Sequence, residues 1–146
     1  MGACRVSHLY WIAIIPKKRG VIMRELVWVF IGGGLGSICR YAITIILKQT
    51  NSLYPWPTLL ANAIGSLLIG ILADQLIRNT SAHSANTLFW IIGFCGGLTT
   101  FSAFALENLT LFRTSGGVSL LIYASLTYFV CLGMVVLGTS LSKLIF

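Results

Sequence analysis

The chain has 146 residues and a formal net charge of +7, with 57% hydrophobic and only 9% charged residues. A soluble domain carries about 25% charged residues, and the mean hydropathy here is +0.91, so the polar groups are too few to cover a surface facing water. The basic excess does not indicate a nucleic-acid partner. Lys17, Lys18, Arg19 and Arg24 cluster before the first long apolar run, and Arg78, Arg113 and Lys143 lie between or after such runs, which is how membrane proteins place charge.

Residues 1–22 stand apart. The stretch "LYWIAII" is too short to span a bilayer and precedes "KKRG", whereas a signal peptide puts its charge first and ends in a small-residue cleavage site. Met23 opens "MRELVWVFIGGG", which reads as an ordinary membrane-protein start. The expectation is an N-terminal extension over 1–22 and one membrane domain over 23–146. Mass spectrometry of the native N-terminus checks this.

A hydrocarbon core of about 30 Å needs about 20 apolar residues of helix. Four segments qualify: Leu26–Leu47, Pro57–Ile77, Leu88–Leu106 and Val118–Leu141. Between them lie "KQTNSLYPWP", "RNTSAHSANT" and "FRTSGG", rich in turn-forming residues. The fold class is therefore an all-α membrane protein with four transmembrane helices. Counting from Met23, Arg24, Arg78 and Lys143 face one side and Lys48 and Arg113 the other. That bias is too weak to impose one orientation; residues 17–19, if present, would impose one.

In the first span, "GGGLGS" contains Gly32-x-x-x-Gly36, a spacing that lets helices approach closely. Arg40, deep in the same span, needs a partner or water. It can hold carbonyls at a broken helix, line an anion path, or snorkel to the interface. In the second span, Thr58, Asn62 and Ser66 share a face at four-residue spacing. An amide in hydrocarbon needs either an interhelical hydrogen bond or an ion with its water. The fourth span repeats the pattern with Ser119, Tyr123, Thr127 and Cys131, so a hydrophilic seam is expected.

The third span holds "GFCGGLTTFSAF". Gly96-Gly97 followed by Thr99-Thr100 lowers helix propensity in mid-membrane. Unwound backbone survives at that depth only if buried in protein or lining a wet cavity. Freed carbonyls suit a cation, while freed N–H groups and a new helix N-terminus suit an anion. Phe101 and Phe104 follow on nearly one face. They are either packing residues or rings whose positive edges meet an anion.

Cys4, Cys39, Cys95 and Cys131 form no C-x-x-C pair and read as small, reduced side chains. There is no phosphate-binding G-x-x-x-x-G-K-[ST] motif. No nucleophile–base constellation suggests an enzyme. A proton-coupled drug transporter needs a membrane-embedded carboxylate, and the one charge inside the first span, Arg40, has the opposite sign.

"GGGLGSICRY", "PTLLANAIGSLLIG" and "GFCGGLTTFSAFALE" resemble, in order and spacing, the motifs of the Fluc (CrcB-type) fluoride channels, over roughly residues 23–140. The resemblance implies an antiparallel, dual-topology homodimer in the bacterial inner membrane, multi-pass, with the third helix broken and two fluoride pores. It implies passive export of fluoride that enters acid-exposed cells as HF. By position, Phe101 and Phe104 match the family's phenylalanine box, Asn62 its pore asparagine and Thr58 a nearby threonine. Tyr123 and Thr127 match its fourth-helix hydroxyls, Arg40 its first-helix arginine and Glu107 the acid closing the third-helix motif. The carbonyls of Gly96 and Thr99 match those holding a structural sodium ion. The family usually reads "TFSTFS" where this chain has Thr100-Phe101-Ser102-Ala103-Phe104-Ala105. Cys131 stands where serine is common, and Pro57 where glycine is frequent.

Overall fold

The computed structural model describes residues 19–47, 52–78 and 85–145. Most of the predicted extension (residues 1–18), Lys48 and both histidines, His8 and His83, lie outside them. The regular elements among the described residues are helices. Helix α1 is Arg19–Leu47 and α2 is Trp56–Arg78. Helix α3 is assembled from an α-turn Ala85–Thr87, a π-helical stretch Leu88–Cys95 and a second α-turn Gly96–Leu98. Helix α4 is Phe101–Ile145.

Helix α2 follows its expected segment closely and α1 ends at Leu47 as expected, because a long apolar run with turn residues beyond it has no other way to satisfy its backbone in lipid; α1 begins at Arg19, before the expected Leu26 and within the stretch expected as an extension. The C-terminal half differs. The segment "FRTSGG", expected as a loop, is helical except at Gly116, whose φ of 82° and ψ of 175° turn the chain. Its one threonine stays in the helix with its hydroxyl donating one turn back, Thr114 to the Thr110 carbonyl at 2.9 Å, as Thr110 just before the segment does to the Leu106 carbonyl at 3.0 Å. Gly116 takes the turn because only glycine adopts positive φ without steric cost.

Two long helical stretches, Met23–Leu47 and Ala85–Leu144, are long and apolar enough to cross a membrane, and Trp56–Leu72 is a shorter apolar helix. Large apolar side chains point away from the protein along these helices: Phe30 is 81% exposed and Leu144 is 83% exposed. Such continuous apolar exposure in water would be an aggregation surface; in a bilayer it is the ordinary lipid-facing side. This is an all-α membrane protein.

Among the described residues, glycine backbone packs directly against backbone at two crossings. Helix α1 meets α3 through Gly32 and Gly36 on one side and Gly93 and Gly97 on the other. A Cβ added at Gly36 would overlap the Phe94 carbonyl oxygen and lie 2.8 Å from the Leu98 nitrogen. Helix α2 meets α4 where Gly70 faces Gly138, backbone against backbone. In lipid, where apolar burial supplies no driving force between helices, such small-residue contacts hold them together.

Gly36→Val should therefore force backbone apart and lower stability by about 1–3 kcal/mol, the usual cost of overpacking. Gly34→Ala, where an added Cβ meets nothing within 4 Å, should leave stability unchanged or raise it by up to about 1 kcal/mol through helix propensity. Thermal melting of both variants in detergent checks the contrast; equal midpoints would contradict the packing at this crossing.

Candidate ion pathway at the helix break

The regular hydrogen bonding of α3 carries through the Thr99 N–H, which donates to the Cys95 carbonyl at 2.9 Å. Thr99 itself is extended, with φ −80° and ψ 154°, and helix resumes at Phe101. The glycines, where low propensity pointed to unwinding, stay in the helix. Thr100 caps the new helix: its Oγ1 accepts the Ala103 N–H at 3.3 Å, satisfying one of the free donors at a helix N-terminus.

Asn62, from the middle of α2, reaches this break. Its Oδ1 accepts the Thr100 N–H at 2.8 Å and its Nδ2 donates to the Thr100 carbonyl at 3.3 Å. One carboxamide thus serves both backbone groups of one residue. Of the two alternatives open for Asn62, the interhelical hydrogen bond is formed, and one Nδ2 hydrogen remains for another acceptor. Arg40, from α1, donates through Nη1 to the Thr99 carbonyl at 3.5 Å. Among its readings, holding a carbonyl at a helix break is the one with a contact.

A cavity of about 450 Å³ lies beside the break, lined by Asn62, Phe101, Phe104, Thr127 and Cys131 among others, with no carboxylate among the described residues of its wall. Phe101 and Phe104 stand 5.8 Å apart with rings tilted by 46°. Phe101 is 81% exposed, while Phe104 is half-buried against Tyr123, 5.8 Å away. Ser66 lines the same wall, so the predicted stripes on α2 and α4 do share a cavity through Asn62, Ser66, Thr127 and Cys131.

The remaining predicted residues sit elsewhere. Thr58 lines a second cavity of about 510 Å³ with Arg40, Ser37, Thr44 and Glu107. Thr58 Oγ1 donates to Glu107 Oε1 at 2.5 Å. The Tyr123 hydroxyl lies 3.1 Å from Glu107 Oε2 and 3.2 Å from the Pro55 carbonyl. Tyr123 is fully buried and lines neither cavity. Its ring packs between Phe104 and Tyr54, so its hydroxyl serves Glu107 and Pro55. Thr100 lines both cavities and stands between them. The carbonyl-bearing residue Gly96 is exposed, with open space around it.

Sequence reasoning placed the break near Thr99-Thr100 but did not single out the Thr100 backbone as the receiver of Asn62. It also passed over Tyr128, which lines the first cavity. Tyr128 lies one residue off the Tyr123–Thr127–Cys131 stripe, so no helical periodicity marks it.

Comparison with known proteins agrees with the motifs. A family model described as "CrcB-like protein, Camphor Resistance (CrcB)" matches residues 27–139. The chain is 32% identical over 123 residues to a protein of Azobacteroides pseudotrichonymphae named fluoride-specific ion channel FluC, covering 84% of this chain and 98% of that one. Similar proteins with the same name occur in Flavobacterium psychrophilum, at 36% identity over 120 residues (82% and 95% covered), and in Rhizobium johnstonii, at 34% over 122 residues (83% and 98% covered). With a matching model over most of its length and relatives matched nearly end to end, the chain belongs to the CrcB-like family.

Proposed function

We propose that this protein is a fluoride-selective ion channel that lets cytoplasmic fluoride leave the cell passively, and that it is not an enzyme. The observation that carries this reading is the cavity beside the break. It joins Asn62, Thr127 and the Phe101–Phe104 pair in one wall that, among the described residues, contains no carboxylate. Fluoride is small and strongly hydrated, so a path for it must replace water with donors. An amide N–H, a hydroxyl and the positive edges of aromatic rings can do this without a fixed positive charge that would trap the ion. Thr58 and Arg40 line the approach on the other side of Thr100.

Four spans, an antiparallel dimer in the inner membrane and two pores complete the reading. Phe101 is largely exposed, and Gly96 faces open space. Both arrangements suit a surface that a second copy covers.

The carbonyls of Gly96 and Thr99 are the proposed holders of a structural sodium ion. Their fit rests on where the local donors go. The Thr100 N–H, which a continuous helix would direct to the Gly96 carbonyl, goes to Asn62. The Ala103 N–H, which would go to the Thr99 carbonyl, goes to Thr100 Oγ1, so that oxygen keeps only the long bond from Arg40 Nη1 at 3.5 Å and a second lone pair. Neutral carbonyl oxygens of this kind suit a hard monovalent cation, which would supply fixed positive charge that ties the break together.

Anion efflux from proteoliposomes, with valinomycin carrying compensating potassium, tests the reading. Rapid fluoride loss with chloride retained is expected. Equal loss of both ions would make this a nonselective pore, and loss of neither from folded protein would reject the channel function.

A further inference from the structure

We infer that Asn62 is a positioning residue that holds the helix break open by taking the Thr100 N–H away from the Gly96 carbonyl. This deepens the channel reading and rests on it for its functional consequence. In a regular α-helix each N–H donates to the carbonyl four residues earlier. Thr99 keeps that rule, donating to Cys95 at 2.9 Å. The next bond in register would join the Thr100 N–H to the Gly96 carbonyl. That N–H instead points to Asn62 Oδ1 at 2.8 Å, and one proton cannot serve both acceptors well.

The second half of the same carboxamide completes the diversion. Asn62 Nδ2 donates to the Thr100 carbonyl at 3.3 Å, so both polar groups of Thr100 are satisfied outside α3. In a bilayer, where an unsatisfied backbone group costs several kcal/mol, this double bond supports an extended Thr99 that would otherwise refold into helix. The Gly96 carbonyl thereby loses the N–H that a continuous helix would give it. Asn62 therefore acts on a cation at Gly96 without touching it.

This role differs from that of a simple anion ligand, and epistasis separates the two. In Asn62→Leu the Thr100 N–H loses its acceptor and returns to Gly96. Proline at position 100 has no N–H to return, and it favours an extended preceding residue, which Thr99 already is. The decisive comparison uses purified protein in detergent, melted in sodium chloride and in N-methyl-D-glucamine chloride. A cation that binds only the folded state raises the melting midpoint.

The wild type should melt higher in sodium, Asn62→Leu should lose that sodium-dependent difference, and Asn62→Leu/Thr100→Pro should regain part of it. The recovery is partial because proline also removes the Thr100 Oγ1 that holds the Ala103 N–H away from the Thr99 carbonyl, and Thr100→Pro alone should show the same partial response. A full sodium response in Asn62→Leu would overturn the inference, as would a double variant no more responsive than the single one. A wild type indifferent to sodium would also overturn it. Fluoride efflux of the wild type is measured in parallel. The expected melting pattern without fluoride efflux would support the clamp and reject the channel reading instead.

Discussion

Phe104→Ile is expected to slow fluoride efflux by about tenfold or more, equivalent to roughly 1.4 kcal/mol at the barrier, while the protein stays folded. Isoleucine keeps the bulk and apolarity of the site but has no ring edge. An aromatic ring carries its positive potential at the edge and its negative potential on the face, so only the edge attracts an anion. Phe104 lines the cavity with Asn62, held between Phe101 and Tyr123 at 5.8 Å from each. Those two ring contacts fix its orientation, and losing them costs stability as well, about 0.5–1.5 kcal/mol each.

Phe101→Ile separates the two effects. Phe101 makes the contact with Phe104 but, among the described residues, no ring contact with Tyr123, so its replacement should reduce flux with a smaller loss of melting temperature than Phe104→Ile. Efflux rates normalised to folded protein, measured for both variants beside their melting midpoints, check the pair. Fluoride efflux within twofold of wild type in both variants would remove the rings from the ion path.

The legible parts of this molecule are those governed by composition and periodicity. The extent of α2 and the end of α1 follow from apolar runs ended by turn residues, whereas the start of α1 at Arg19 lies outside its apolar run. The close contact of α1 with α3 follows from the Gly32–Gly36 spacing. The seam formed by Asn62, Ser66, Thr127 and Cys131 follows from four-residue spacing on two helices. Propensity pointed to the right neighbourhood for the break but not to the right residue. Gly97 stays helical because its missing Cβ is used for contact with Gly33 on α1. The chain leaves the helix at Thr99 instead, next to the residue whose N–H is captured.

What periodicity could not reveal is pairing between helices. Asn62 had two open partners in the sequence, another helix or an ion, and only the position of α2 against α3 decides between them. The same holds for Glu107. Its carboxyl gathers Thr58 from α2 and Tyr123 from the far arm of α4, groups 49 and 16 residues away in sequence. Tyr123 and Thr127 looked equivalent, one turn apart, yet one serves the carboxyl network and the other the cavity by the phenylalanines.

Asn62→Asp should be the most damaging of the small substitutions, because it fails in two distinct ways. The aspartate keeps an acceptor for the Thr100 N–H but loses the donor to the Thr100 carbonyl, setting oxygen against oxygen where the amide now bonds at 3.3 Å. It also adds a negative charge to the wall of the cavity. Two like charges about 4 Å apart repel by about 4 kcal/mol at an effective dielectric constant of about 20. The Arg40 guanidinium, held at the neighbouring Thr99 carbonyl, offsets part of that. A fall in fluoride efflux of about a hundredfold is therefore expected, equivalent to roughly 2.7 kcal/mol.

Lowering the pH until the new carboxyl is protonated, with the HF leak of protein-free liposomes at the same pH subtracted, tells the two failures apart. Protonation removes the charge and can restore a donor, but not the flat amide geometry that serves both Thr100 groups together. Efflux should then recover only in part. Complete recovery would assign the whole defect to charge and leave the pairing with Thr100 without a role in conduction. Undiminished efflux with the aspartate ionised would place Asn62 outside the fluoride path.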